Sequence, residues 1–335
     1  MSDKFLNVEE ARKLLRVSRV TLYRWITDGK LRANKVGGTY RIKQSDVDAL
    51  IEGVPSTQSR DGEAGGRAPS RSPLDVTARD IEKWSEDNRL AQENLPELVR
   101  WLAQSASSAA GIDDLHIPSG DSVGKPGWDG MIKSNSGDRF IPAGTSAWEM
   151  GVGPSEAKAE KDFNKRTANP QNVEIKDTTF VFVTPKIWSN SNSWVKEKAS
   201  SGWKNIKVID ADDLADWLEV SPAVKIKFLS RIGRNTKNLQ DVETYWSEWS
   251  GETTPNFSTD LAISGRNESN KKLIDLVLRD KTKKLVTVAA GSKAEAVAFI
   301  VASMISCDEI DQALLLSNTL VVSSQEAWDE IIRTE

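Results

Sequence analysis

The sequence predicts a multidomain chain: a small α+β head, a larger α/β domain and a partial α/β unit in the C-terminal region. Three observations predict it. Residues 54–75 are rich in Gly, Pro, Ser and Arg and carry no hydrophobic period, so they cannot bury enough apolar area to fold and read as a flexible linker. Beyond the linker, helical stretches alternate with apolar, strand-like runs, which is the pattern of an α/β sheet. Charge is also unevenly spread: residues 1–53 carry a net +4 and the remainder −8. A basic head on an acidic body points to a nucleic-acid partner for the head. The predicted domains are residues 1–53, a linker at 54–75, a central domain at 76–235 and a C-terminal region at 236–335.

Composition narrows the chemistry. The chain has 335 residues, long enough for two or three domains of roughly 100–200 residues each. No apolar run reaches the ~18 residues that a membrane span needs. The first residues, MSDKFLNVEEARKLL, lack an apolar signal segment, so a cytoplasmic protein is expected. The single cysteine, Cys307, rules out an internal disulfide and a cysteine-rich zinc site. The single histidine, His116, rules out a histidine cluster, and any Ser-His-Asp or Cys-His machinery would have to use it. With no partner visible in DDLHIPSG, His116 reads as structural or surface. What remains is chemistry by carboxylates, lysines and a hard cation. Twelve tryptophans against three tyrosines predict well-filled cores, with base stacking as the alternative.

In the head, VEEARKLL (residues 8–15) reads as a helix with Ala11, Leu14 and Leu15 on one face. Asn7 can cap it, with Glu9 and Glu10 in the first turn. Ser18 caps a second helix, RVTLYRWITDG, which Gly29 ends. LRANKVGGTYRI then reads as strand, Gly37-Gly38 turn and strand, and Ser45 starts a last helix. Two short helices followed by a hairpin wing make a winged helix-turn-helix. The stretches LNVEEARKLLRVSRVTLYRWITDGKL and KVGGTYRIKQSDVDALI resemble the excisionase/MerR-type DNA-binding domain over nearly all of residues 5–52. That resemblance implies double-stranded DNA as partner and Ser18–Thr27 as the recognition helix. It makes Arg19, Thr21, Tyr23 and Arg24 candidates for base or phosphate contact. Lys35, Thr39 and Arg41 would brace the wing on phosphates. Such a small module binds weakly alone, so dimerisation or a second DNA contact is expected.

In the central domain, residues 79–107 read as a long helical stretch in which Pro96 can restart a helix. Strands are expected at Trp128–Lys133, Phe140–Pro142 and Thr145–Gly151, and a charged helix at about Glu156–Thr167. DTTFVFVT is a continuous apolar run, as a buried parallel strand should be. A helix at Trp194–Ser200, a strand at Ile206–Ile209 and a helix at Asp212–Leu218 follow. Asp129 falls on the strand at Trp128–Lys133 and Glu149 near the end of the strand at Thr145–Gly151. Two carboxylates on adjacent strand ends suit Mg²⁺, and Glu97 on the long helix is a candidate third ligand. A cation there would serve phosphodiester hydrolysis.

The Asp129…Glu149 pair in this αβββαβ order resembles the PD-(D/E)XK nuclease fold of restriction endonucleases. The string GWDG…FIPAGTSAWEMGVG…KAEKDFNKRT…FVFVTPKIW is similar to restriction-endonuclease-like regions of large bacterial proteins, some of them in phage defence. The resemblance covers about residues 79–232 and implies a Mg²⁺-dependent DNA endonuclease with a restriction or antiviral role. The family pattern places a lysine two residues after the acid, where this chain has Gly151. Lys158, Asp162 and Lys165 share a helical face, so Lys158 or Lys165 is the expected substitute. The alternative is an inactive version of the fold in a non-enzymatic DNA-binding regulator that senses a ligand or recruits partners.

In the C-terminal region the expected order is a strand (KLVTVAA), a turn (GSK), a helix (AEAVAFIVASM), a strand (ALLLS or TLVVSS) and a helix (EAWDEII). Gly291-Ser292-Lys293 lacks the rest of a phosphate-binding loop pattern, so a βαβ scaffold unit is the plain reading. Two strands make an incomplete sheet. The resemblance implies a reduced remnant of an ATPase-like region. Completion by a second copy of the chain or by a partner protein is the other expectation.

Overall fold

A computed structural model describes residues 5–15, 22, 26, 31–36, 39–51, 72, 74–88, 90–118, 127–236, 238–278 and 285–334. The expected recognition helix, apart from Leu22 and Ile26, and nearly all of the linker lie outside the described residues. The chain divides into two units, residues 1–72 with 331–335, and residues 73–330.

In the first unit, helix α1 (Val8–Leu15) opens with a reciprocal cap: Glu10 N donates to Asn7 Oδ1 and Asn7 N donates to Glu10 Oε2, both at 2.8 Å. Strand β1 (Phe5–Leu6), which the sequence reading missed, joins β2 (Ala33–Val36) and β3 (Thr39–Lys43) in an antiparallel sheet of order β1-β3-β2. Helix α2 (Gln44–Ile51) follows. Leu6, Val8, Ala11, Leu22, Leu31, Ile42 and Val47 form the core. The buried face of α1 is therefore Val8, Ala11 and Leu15. Leu14, expected inside, is exposed, because the 8–11–15 spacing turns it away from that stripe.

In the second unit, α3 (Ala78–Asp87) starts in a capping box between Thr77 and Asp80. Helix α4 (Ala91–Ala110) is continuous through Pro96, which sits inside it rather than restarting it, and ends at Gly111 with φ +63°. A five-stranded sheet then runs in the order β4 (Ile112–His116), β5 (Gly130–Ser134), β6 (Gly144–Met150), β7 (Thr178–Val183) and β8 (Asn205–Ile209). The β4/β5 and β5/β6 pairs are antiparallel, and β6/β7 and β7/β8 are parallel. The parallel pairs require crossovers, which α5 (Ser155–Ala168) and α6 (Ser191–Lys198) supply. Helices α7 (Ala211–Glu219) and α8 (Pro222–Arg231) follow β8.

Two strand expectations fail in instructive ways. Phe140–Pro142 is not a strand: Asp138 Oδ1 accepts from the N–H groups of Phe140 and Ile141, at 2.7 Å each, and bends the chain into a turn. The missing first strand is β4, whose two aspartates hid it. Tryptophan, as expected, fills cores: Phe163, Phe180, Phe182, Trp188, Trp194 and Trp203 form one buried cluster. Several indole N–H groups keep a partner, including Trp194 with Glu160 and Trp203 with Thr167, both at 2.9 Å.

The C-terminal region departs furthest from expectation. No βαβ unit forms among the described residues. Leu239–Asp241 (β9) pairs antiparallel with Leu320–Val322 (β10) in a two-stranded ribbon. Helices α9 (Val242–Ser250), α10 (Thr259–Ile263), α11 (Asn267–Leu278), α12 (Lys293–Ile305), α13 (Glu309–Asn318) and α14 (Gln325–Thr334) make up most of the rest. Residues 285–290 form no strand, and ALLLS belongs to α13. At the suspected phosphate-binding turn, Gly291 N donates to Glu295 Oε2 at 3.1 Å and Ser292 caps α12.

Candidate functional site

The register of β5 against β6 builds the site. Gly130 pairs with Trp148, so Asp129, one residue earlier, comes opposite Glu149. Met150 N donates to Asp129 Oδ2 at 2.8 Å, which fixes that carboxylate on the third strand's backbone. Met150 O in turn accepts from Gln92 of α4 at 3.4 Å. Glu149 is buried, only 5% exposed. Burial is the largest cause that pushes its carboxyl up to about 7; Asp129 adds to the rise and Arg166 opposes it. Burial also raises Asp129, against the pull of the Met150 N–H and the Lys158 charge.

Helix α5 lays its polar face on these acids. Ala159 and Phe163 enter the core, and this fixes the helix rotation so that Asp162 and Arg166 are buried beside them. Arg166 Nε donates to Glu149 Oε1, and its NH2 group donates to the carbonyl oxygen of Gly127. Its guanidinium lies 4.5 Å from the centre of the Trp128 ring. Lys158 Nζ pairs with Asp162 one turn on. The Lys158 chain lies over Gly151: a Cβ added to Gly151 would come 2.6 Å from Lys158 Cγ.

Of the two lysines put forward from sequence, the structure brings Lys158 near Asp129, with its ammonium on Asp162, and leaves Lys165 exposed. Seven residues beyond Lys158, Lys165 has drifted about 20° away from the side that buries Ala159, Asp162, Phe163 and Arg166. Glu97 is not with the pair. It accepts from both Arg231 NH groups, at 2.8 and 3.1 Å, and that guanidinium lies over the Trp101 ring. Among the described residues no three His, Cys, Asp or Glu side chains gather as a possible metal-ligand set. Asp129 and the exposed His116 line a cleft of about 1080 Å³ that also meets Trp101 and Lys227. Sequence reasoning missed Gln92 and Arg166. Arg166 was legible only as the residue four beyond Asp162.

In the head, Arg41 alternates with buried Ile42 on β3 and faces outward. Lys35 and Thr39 are placed as strand positions of β2 and β3 only. Arg19, Thr21, Tyr23 and Arg24 lie outside the described residues.

Residues 5–54 match the family model of a helix-turn-helix domain. The head is thus similar to a class of module that implies DNA binding. Comparison with curated proteins finds no match to this chain, and comparison with solved structures finds none. No helix among the described residues is long and apolar enough to cross a membrane.

Proposed function

We propose that this chain binds double-stranded DNA through its helix-turn-helix head and hydrolyses DNA at Asp129, Glu149 and Lys158 in a cation-dependent site. The observation that carries the reading is the chain of Lys158 lying over Gly151, with its charge near Asp129, which faces Glu149. This supports a lysine from α5 in the role that the nuclease pattern gives to the residue two after the acid. The strand order, with antiparallel pairs before parallel ones, supports the same resemblance.

The donors fit a hard divalent cation such as Mg²⁺: Asp129 and Glu149 offer carboxylate oxygens, and both acids lie in surroundings that raise the cost of negative charge. Such a cation would supply positive charge at the scissile phosphodiester. The chain's own residues do the rest. Gln92 and the Met150 backbone hold the acid-bearing strand, and Lys158 offers an ammonium to the charge that develops on phosphate. A role in bacterial restriction or antiviral defence follows from the family resemblance. A second reading is a regulator with an inactive nuclease fold, and the Arg166 guanidinium on Glu149 is the observation in its favour.

Plasmid cleavage with Mg²⁺ or Mn²⁺, beside a mobility-shift assay, tests the proposal. Asp129→Ala and Glu149→Ala should lose cleavage and keep DNA binding, and Arg24→Ala should weaken binding. DNA bound but never cut by the wild type would leave the regulator.

A further inference from the structure

One cation in the site is unexplained by hydrolysis. Arg166 is 2% exposed and reaches both acid-bearing segments, through Glu149 on β6 and through Gly127 and Trp128 just before Asp129. Its guanidinium sits on the carboxylate that a divalent cation would need. Asp162 lies four residues before Arg166 on the same buried face, and its charge is felt by both Asp129 and Glu149. Lys158 lies four residues before Asp162 and pairs with it. The three residues form a ladder of alternating sign, cation, anion, cation, at one helical spacing.

Resting on the nuclease reading, we propose that Arg166 is a resident counter-ion that closes the cation site and opens it by moving from Glu149 to Asp162. The ladder supplies the trigger. A DNA phosphate that draws Lys158 away leaves Asp162 without its partner, and Asp162 then accepts Arg166. Glu149 is released for a divalent cation. Substrate and cation thus load together, and the site holds cations poorly until DNA arrives. The charge arithmetic agrees: the closed cluster of Asp129, Glu149 and Asp162 with Lys158 and Arg166 carries a single net negative charge, and with Lys158 drawn to phosphate and Arg166 on Asp162 it carries two, which matches a divalent cation.

The test is Mn²⁺ binding by isothermal titration calorimetry on the full chain without DNA. Arg166→Met should bind Mn²⁺ about tenfold tighter than wild type or better, because one positive charge leaves a partly desolvated site. Arg166→Lys, which keeps the charge and loses the fork, should fall between them and serves if Arg166→Met does not fold. A double-mutant cycle between Asp162→Asn and Arg166→Met isolates the exchange: Asp162→Asn should weaken Mn²⁺ binding more in wild type than in Arg166→Met. Tightening absent in both Arg166 variants, with binding still lost in Glu149→Gln, overturns the counter-ion and spares the nuclease. Additive effects in the cycle overturn the move to Asp162. Mn²⁺ binding indifferent to both Asp129→Asn and Glu149→Gln removes the cation site, and the counter-ion with it.

Discussion

The central sheet and the C-terminal region are written in similar residues and end in different architectures. TTFVFV (Thr178–Val183) and LVTVAA (residues 285–290) are both short apolar runs ahead of a helix. The first is wholly buried between two parallel neighbours. The second pairs with no strand, and Leu285 is 82% exposed. A strand is made by its neighbours as much as by its own propensity. The comparison extends to charge. In the central region a glycine two residues after an acid admits the side chain of a lysine from α5. At the start of α12 a glycine and a serine are satisfied by Glu295 of the same helix.

The largest expected effect tests the buried side of this comparison. Phe180→Ala should cost about 3–5 kcal/mol in denaturant unfolding, because its ring touches Trp128, Phe163 and Trp203 inside the cluster. A loss under ~1 kcal/mol would mean that the cluster is not the core.

Next comes the buried acid. Glu149 has its pKa raised from 4.5 to about 7, so the folded chain holds this proton more tightly than the unfolded chain. The stability it brings is full below the unfolded value and is lost as pH rises through about 7, by up to about 3 kcal/mol. Glu149→Gln should flatten that fall between pH 5 and 8. An unchanged pH slope would contradict the burial of this acid.

Smaller effects sharpen the contrast. Thr77→Ala and Ser292→Ala should each cost about 1 kcal/mol, since each side chain accepts a backbone N–H at a helix start. Equal losses would show that helix ends are equally sound in both regions and that the difference lies in the sheet. Leu285→Ala should change stability by less than ~0.5 kcal/mol, and a larger loss would mean that this run is buried after all.

Much of this was legible in the sequence, for stated reasons. Thr178–Val183 announced itself because a strand buried on both faces is apolar throughout. Asn7 marked a helix start in the head by residue type, whereas Ser45, expected as a cap, lies inside the helix that starts at Gln44. Ile112–His116 did not announce itself, because an edge strand with Asp113 and Asp114 exposed has no apolar period. Phe140 and Ile141 misled in the opposite sense: both are buried, yet they follow an aspartate that makes a turn. In the candidate site, Asp129 and Glu149 were placed by strand order, and register brings them face to face. Lys158 was one of two options that helical spacing left open. The choice depends on how Ala159 and Phe163 rotate α5, which only the core decides. The same rotation turns Lys165 outward and Arg166 inward.

The most direct measurement is plasmid cleavage with Mn²⁺ by wild type, Lys158→Ala and Lys165→Ala, all confirmed to bind DNA. The account predicts that wild type and Lys165→Ala cut while Lys158→Ala does not. Cutting by Lys158→Ala at the wild-type rate would contradict it.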